Sequence, residues 1–379
     1  MALFERERTP FYYYDMGLLR DTLEEINRLT AGKPIIVHYA VKANGNPRIL
    51  NKIASYGLGA DLVSGGEIFA ALKAGFSTSK MVYAGVGKTD DEIRLGLECG
   101  IGCFNVESLQ ELEVINQIAE EKGKTAPIAI RVNPDIDAHT HRYITTATAS
   151  NKFGICMEML DDVIAMAESL PCVSLRGLHF HIGSQITKMQ PYEMLCDTIN
   201  KLIMHFAAHG IHFESINVGG GLGIDYASPK RRKMPQFEAF FDTFMRELHP
   251  EAGQKLHFEL GRSVVAQCGT LVTRVLYVKE SRNKKFVITD AGMTDLIRPA
   301  LYEAHHRIQN ISSARSAFDT YDVVGPICES SDVFAYDCQL PVTQRGDFLV
   351  IRSTGAYGES MASTYNMHPL PKSVFSDNK

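Results

Sequence analysis

The sequence predicts an α/β fold, a closed (β/α)8 barrel of the TIM type followed by an all-β domain that also takes in the N-terminal strand. Three observations predict it. Eight apolar runs of strand length alternate with helical spacing over roughly 230 residues, the size of such a barrel. Each run ends in polar or small residues unlike those before it. After Arg262 the helical spacing stops, and short β-type runs parted by Gly, Pro, Asn and Asp take over.

The chain opens with a short strand, 11–14, and a helical pattern with apolar residues at 18, 19, 23, 26 and 29. The eight runs are 35–41, 59–63, 80–84, 102–106, 128–133, 175–182, 215–219 and 256–260. Their β-branched, near-continuous character is that of parallel strands buried on both faces. Between them, 47–56, 66–74, 90–98, 108–122, 159–170, 192–209 and 237–248 carry helical periodicity. A doubly wound open sheet is the rival. The polar run ends favour the barrel, because Lys42, Asp61 with Ser64, Asn105, Arg131 with Asn133, His179 with His181, the 219–221 glycines, and Glu259 with Arg262 would converge on one rim. The β-type runs 264–280, 285–290, 321–325, 333–336 and 348–352 complete the chain, giving expected domains of 30–262 (barrel) and 1–29 plus 263–379 (β domain).

Composition narrows the function classes. The 379 residues carry a net charge of −5 without long runs of either sign, which argues against nucleic acid and for a small-molecule partner. Eight scattered cysteines without a C-x-x-C pair, behind an opening MALFERERTP that lacks a signal-peptide pattern, suggest reduced thiols in the cytoplasm. No apolar stretch approaches ~18 residues, so no membrane span is expected.

The candidate site is organised around Lys42, which ends the run IIVHYAVK. At a barrel strand's carboxyl end and among apolar neighbours, a lysine amine becomes a nucleophile toward aldehydes. Three glycines in SINVGGGLGID follow the seventh run, where barrels commonly hold phosphate, and Arg262 supplies a fixed positive charge beyond the eighth. Glu259 is a lone acid in LHFEL and needs a cationic partner, either an arginine or the protonated nitrogen of a pyridine cofactor. In HFHIGS the two histidines share a face. No third ligand has metal-site spacing, and an aromatic lid on a flat ring with Ser184 on a phosphate fits better. Cys328 and Glu329 adjoin in GPICESSD, where a structural cysteine is the alternative. DLIRPALY adds Arg298 and Tyr302, and GAYG adds Tyr357.

HYAVKAN, DLVSGGE, NKFGI, HFHIGSQ, GGGLGIDY, ELGR, DAGMTDLIRPALY, GPICESSD and GAYGESMASTYN occur in one order along nearly the whole chain. In that order and approximate spacing they resemble the diaminopimelate decarboxylases, pyridoxal-phosphate enzymes of the barrel-plus-β-domain type shared with ornithine decarboxylases and alanine racemases. The resemblance implies pyridoxal 5'-phosphate linked to Lys42, stacked by His181 and paired through its ring nitrogen with Glu259. It implies further cofactor contacts from Asp61, Ser184, Gly220, Gly221, Gly261, Arg262 and Tyr357. Substrate would be held by Arg262, Arg298, Tyr302, Glu329 and Tyr357, with Cys328 returning a proton to the α-carbon. It also implies a homodimer in which the partner subunit's Cys328 and Glu329 complete each site, and a covering loop over 139–151.

Three departures from the family pattern stand out: Leu260 in place of a proline, Ala147 in place of a glycine, and Met367-His368 where an arginine is usual. They bear on substrate preference more than on cofactor use. The implied activity is decarboxylation of meso-2,6-diaminopimelate to L-lysine, the last step of lysine biosynthesis. The alternatives are decarboxylation of ornithine, arginine or carboxynorspermidine, a racemase, and a non-catalytic regulatory homologue. Arg298 argues against substrates with a purely cationic far end, and retention of Lys42 and Cys328 argues against a regulator.

Overall fold

The computed structural model describes residues 2–136, 152–229, 231 and 233–377. They fall into two compact units, Leu23–Gly223 with Gln236–Gly261, and Met1–Thr22 with Ile224–Pro235 and Arg262–Lys379.

The first unit is a closed parallel barrel. Its strands are β1 (Ile35–Ala40), β2 (Gly59–Leu62), β3 (Met81–Tyr83), β4 (Cys103–Val106), β5 (Ala126–Asn133), β6 (Val173–His179), β7 (Ser215–Asn217) and β8 (Lys255–Leu260). Neighbours pair in the order β4-β3-β2-β1-β8-β7-β6-β5, and β4 pairs with β5 to close the ring, so the open-sheet alternative is excluded. Residues after the strands start the helices. The side chains of Asn46, Ser64, Thr89 and Ser108 accept the first free backbone N–H groups of Pro47–Ala54, Gly65–Ala74, Asp90–Cys99 and Leu109–Glu121. Such caps fix where each strand hands over to its helix, and therefore what stands on the rim.

Alternation along β8 separates the inside of the barrel from the outside. The Phe258 ring packs edge-on against Phe240, Phe241 and Phe244 of the helix Phe237–Glu247, at 5.5, 5.1 and 5.2 Å. Phe258 therefore faces outward, and His257 and Glu259 face the interior. Deeper in that interior, His257 Nδ1 lies 3.0 Å from His38 Nε2, and His38 Nδ1 lies 3.0 Å from the Lys80 carbonyl. Above this pair comes a polar layer of one buried side chain from each of six strands: Asp61, Asn105, Arg131, His179, Asn217 and Glu259.

Several boundaries differ from the expected ones. β6 stops at His179 and β7 at Asn217, where Gly219 and Gly221 turn the chain after β7 with positive φ, 70° and 97°. His181 thus lies just beyond its strand.

The second unit is mostly strand. Its sheet runs Ile308–Asn310, Phe348–Arg352, Gly269–Glu280, Lys285–Thr289, Phe318–Val324, Val333–Pro341. The N-terminal strand Phe11–Tyr14 joins it, antiparallel to Gly269–Glu280 and parallel to Lys372–Phe375. Phe11, Val272, Phe348, Val350 and Val374 form a core cluster here. The expected β run at 264–280 begins later, since Arg262–Val265 is a short helix.

Candidate active site

Lys42 lies two residues past β1, in a tight helical turn over Val41–Ala43. Its Nζ is 4.0 Å from Asp61 Oδ2, and its side chain is 44% exposed, so the amine is reachable from outside while facing an acid. Asp61 itself is buried. Burial, reinforced by Glu259, pushes its carboxyl well above the usual range, and Lys42 only partly offsets this. Its Oδ1 has no hydrogen-bond partner among the described residues, an orphaned polar atom beside the lysine.

Glu259 behaves oppositely. Burial alone would raise its pKa, yet the charge and hydrogen bond of His179, with His181 and Lys42 nearby, hold the carboxyl far below the carboxylate range. Oε1 accepts from Asn217 Nδ2 at 2.7 Å and from Asn105 Nδ2 at 3.4 Å, and Oε2 lies 3.0 Å from His179 Nε2. Among the described residues no arginine pairs with it. The nearby candidate, Arg131, is committed to Glu107 at 2.6 Å, and Glu107 also accepts the N–H groups of Gly85 and Gly154. The arginine alternative for Glu259 is thereby set aside.

His181 Nδ1 lies 3.3 Å from the Gly220 amide and accepts from it. Burial, followed by the charges of Lys42 and Arg131, holds the imidazole well below the ordinary histidine range, leaving a neutral flat ring. The glycines beside it are obligatory. A Cβ on Gly220 would come 1.7 Å from the Glu259 carbonyl, and one on Gly221 would come 2.4 Å from the Gly183 carbonyl. Gly261 is nearly as tight, its hypothetical Cβ 3.0 Å from those of Ala40 and Ala43. Ser184 lies in the turn after β6, half-buried.

The second unit gathers a cationic and aromatic group. Arg262 starts its short helix, donates from Nη1 to Tyr226 Oη at 2.8 Å, and lies over the Tyr357 ring at 4.9 Å. Tyr357 holds a positive φ of 55°. Arg298 begins the helix Arg298–Tyr302, lies over the Tyr226 ring at 4.8 Å, and reaches His306 Nε2 at 2.7 Å. Tyr302 is half-buried on that helix.

Cys328 and Glu329 stand exposed on a turn. The Cys328 N–H donates to Asn366 Oδ1 at 2.9 Å, and Tyr365 Oη donates to Glu329 Oε1 at 2.6 Å. Behind them, buried Asp332 accepts the N–H groups of Ile327 (2.7 Å) and Met293 (2.6 Å), which shapes the turn.

Of the residues expected from sequence, Lys42, Asp61, His181, Gly220, Gly221, Glu259 and Gly261 meet at the barrel rim. Arg262, Arg298 and Tyr357 form one cluster of the second unit, and Cys328 with Glu329 stand on a turn of that unit. The expected covering loop at 139–151, with Ala147, lies outside the described residues. Sequence reading missed Asn217, Tyr226, His306, Tyr365 and Asn366 as working parts. Asn217 precedes the 219–221 glycines and Tyr226 closes the same GGGLGIDY stretch, so position could have flagged both.

A lysine at the rim of a (β/α)8 barrel, an ionised acid on the last strand, a neutral imidazole and glycine amides define a barrel that can seat a phosphorylated pyridine aldehyde. The residues fit such a group: Asp61 Oδ1 is without a partner among the described residues, and the glycine backbone is free of Cβ atoms where it must come close. The profile described as "Pyridoxal-dependent decarboxylase, pyridoxal binding domain" matches residues 19–266. The chain belongs to this family. Its relatives include the diaminopimelate decarboxylase of Bacteroides thetaiotaomicron, 56% identical over 99% of this chain and 97% of that one. That of Vibrio cholerae is 42% identical over 97% and 88%. Among solved structures, diaminopimelate decarboxylase from Helicobacter pylori complexed with L-lysine superposes with a TM-score of 0.94 at 39% identity, covering 100% of this chain and 94% of that one.

Proposed function

We propose that the chain decarboxylates meso-2,6-diaminopimelate to L-lysine and CO2, with pyridoxal 5'-phosphate held at Lys42. The observation that carries this reading is Glu259, a buried carboxylate held far below the carboxylate range by His179, with His181 and Lys42 nearby, hydrogen-bonded by two amides, and without an arginine or lysine in ion-pair contact among the described residues. A protonated pyridine nitrogen is the cation such an acid suits.

When bound, the cofactor supplies an electron sink for the pair left on the α-carbon as CO2 departs. The chain's own residues do the rest. Lys42 would hold the cofactor by its amine, Glu259 would keep the ring nitrogen protonated, and the His181 imidazole would border the ring. Gly220 and Gly221, whose backbone leaves no room for a Cβ, would border the phosphate, with Ser184, Gly261, Arg262 and Tyr357 assigned to the same group. Asp61 faces Lys42 across 4.0 Å.

Arg298 is assigned to the substrate's distal carboxylate and Glu329 to the ammonium there, both charge-assisted contacts. Tyr302 lines that end. Cys328 is the acid that returns a proton to the α-carbon. The reading includes a homodimer, because Cys328 and Glu329 stand exposed on a turn instead of being packed into their own unit. It also includes the cytoplasm, supported by eight cysteines with no disulfide among them.

The test is CO2 release from meso-, LL- and DD-diaminopimelate, ornithine, arginine and carboxynorspermidine side by side, with and without added pyridoxal phosphate. The meso isomer should be turned over far faster than the rest, with L-lysine as product. Preference for ornithine or arginine would overturn the substrate assignment.

A further inference from the structure

We infer that His306 is a positioning residue for substrate recognition: it aims Arg298 by accepting its guanidinium N–H, and so sets discrimination for a distal carboxylate. The inference rests on the assignment of Arg298 above and adds a residue that assignment does not contain.

Arg298 is buried, 5% exposed, and among the described residues it has no carboxylate partner. A buried guanidinium is ordinarily neutralised by an acid. Here the neighbours are a second arginine, the face of the Tyr226 ring at 4.8 Å, and His306. The charge is therefore left for a ligand, and the guanidinium must be held by groups that do not cancel it.

His306 suits that task because its two ring nitrogens are committed to different work. Nδ1 lies 2.9 Å from the carbonyl of Arg352, and only a protonated nitrogen can make that bond. Nε2 then carries the lone pair, and it lies 2.7 Å from Arg298 Nη1. The Arg352 carbonyl thus selects the tautomer, in the way a second-layer acceptor orients a metal-bound histidine. The ring is also wedged edge-on against Tyr226, centroids 4.9 Å apart at 74°, so it cannot swing. Tyr226 in turn takes the Arg262 hydrogen bond and lies under Arg298. One imidazole and one phenol hold two arginines apart and aimed without neutralising either. A carboxylate in place of His306 would form an internal ion pair and compete with the substrate.

The histidine keeps its acceptor only while neutral. Burial, Arg298 and Arg262 all oppose a second proton on it, and its pKa is lowered to about 3. Over any working pH range the ring accepts from Arg298.

The experiment uses the holoenzyme and two variants, His306→Leu, which removes the acceptor, and His306→Gln, which keeps an acceptor amide. The readouts are the KM and kcat for meso-diaminopimelate, and the inhibition constants of L-lysine, which retains the distal carboxylate, and of cadaverine, which has none. Expected for His306→Leu is a rise of tenfold or more in KM and in the L-lysine inhibition constant, with kcat changed less and cadaverine inhibition within twofold of the parent. His306→Gln should recover most of the loss.

If His306→Leu weakens L-lysine and cadaverine equally, or leaves both unchanged, the histidine is only packing and the inference is wrong. If His306→Leu does not fold, His306→Gln and His306→Glu decide: Glu should neutralise Arg298 and weaken L-lysine more than Gln does, and equal L-lysine inhibition in the two would overturn the inference. Failure of the parent enzyme to act on meso-diaminopimelate sinks the functional reading instead, so the two failures are distinguishable.

Discussion

Glu259 and Asp61 are two buried carboxyls in one polar layer whose pKa values are pushed in opposite directions, and their surroundings differ in donors. Glu259 collects two amides and a histidine, whereas Asp61 has a lysine at 4.0 Å and an oxygen with no donor among the described residues. Replacing Glu259 by Gln keeps the shape and removes the charge. It should lower kcat by about 100-fold or more, in the range seen when a preorganised electrostatic contact is lost, while circular dichroism stays unchanged. Full activity in that variant would show that the acid does not serve the ring nitrogen. Arg298→Ala should cost ~2–4 kcal/mol in kcat/KM for diaminopimelate, the scale for removing one partner of a buried charge pair. Steady-state kinetics on the purified variant reads this directly, and kinetics equal to the parent's would withdraw Arg298 from the substrate.

At the scale of elements, the outer face of β8 and the helix Phe237–Glu247 form one aromatic joint through Phe258. Truncating this fully buried ring, Phe258→Ala, should destabilise the barrel by about 3–5 kcal/mol, measured by urea unfolding. The inner face of the same strand predicts a pH effect. His38 and His257, bridging β1 and β8, have pKa values lowered from 6.5 to about 4 and about 3, chiefly by burial. Below pH 6.5 the unfolded chain binds protons that the folded barrel refuses. Their contribution is therefore complete above about pH 6.5 and is lost progressively as pH falls toward 4 and then 3. For two such groups this amounts to a few kcal/mol, on the order expected for shifts of this size. Calorimetry from pH 7.5 to 4 should show a falling Tm, and the double variant His38→Asn, His257→Asn should flatten that slope. An unchanged slope would place the acid sensitivity elsewhere.

Which elements the sequence disclosed follows from how they are buried. Parallel barrel strands are covered on both faces, so they stand out as apolar runs, and their polar final residues marked the rim, with Lys42, Asp61, His181, the glycines and Glu259 all readable there. The strands Ile308–Asn310 and Lys372–Phe375 are three and four residues long and carry no clear alternation, so they gave no signal. Glu259's partner was unreadable for another reason. Asn105 and Asn217 come from β4 and β7, and only closure of the ring brings their amides to one carboxylate.

For the whole molecule, the barrel and the β-rich unit each contribute a distinct set of groups: a rim lysine with buried carboxyls in one, and two buried arginines with an exposed Cys-Glu turn in the other. If the functional unit is a homodimer, light scattering should give twice the 42.1 kDa chain mass, and specific activity should fall on dilution below the dissociation constant. A monomer of full activity would contradict the dimer. The most direct test of the account is to treat the purified enzyme with borohydride in the presence of pyridoxal phosphate and map the modified residue by peptide mass spectrometry. The account predicts that a yellow absorbance band is bleached and the pyridoxyl label is found on Lys42, with Lys42→Ala unlabelled and inactive. A label on another lysine, or a Lys42→Ala variant that still decarboxylates diaminopimelate, would contradict it.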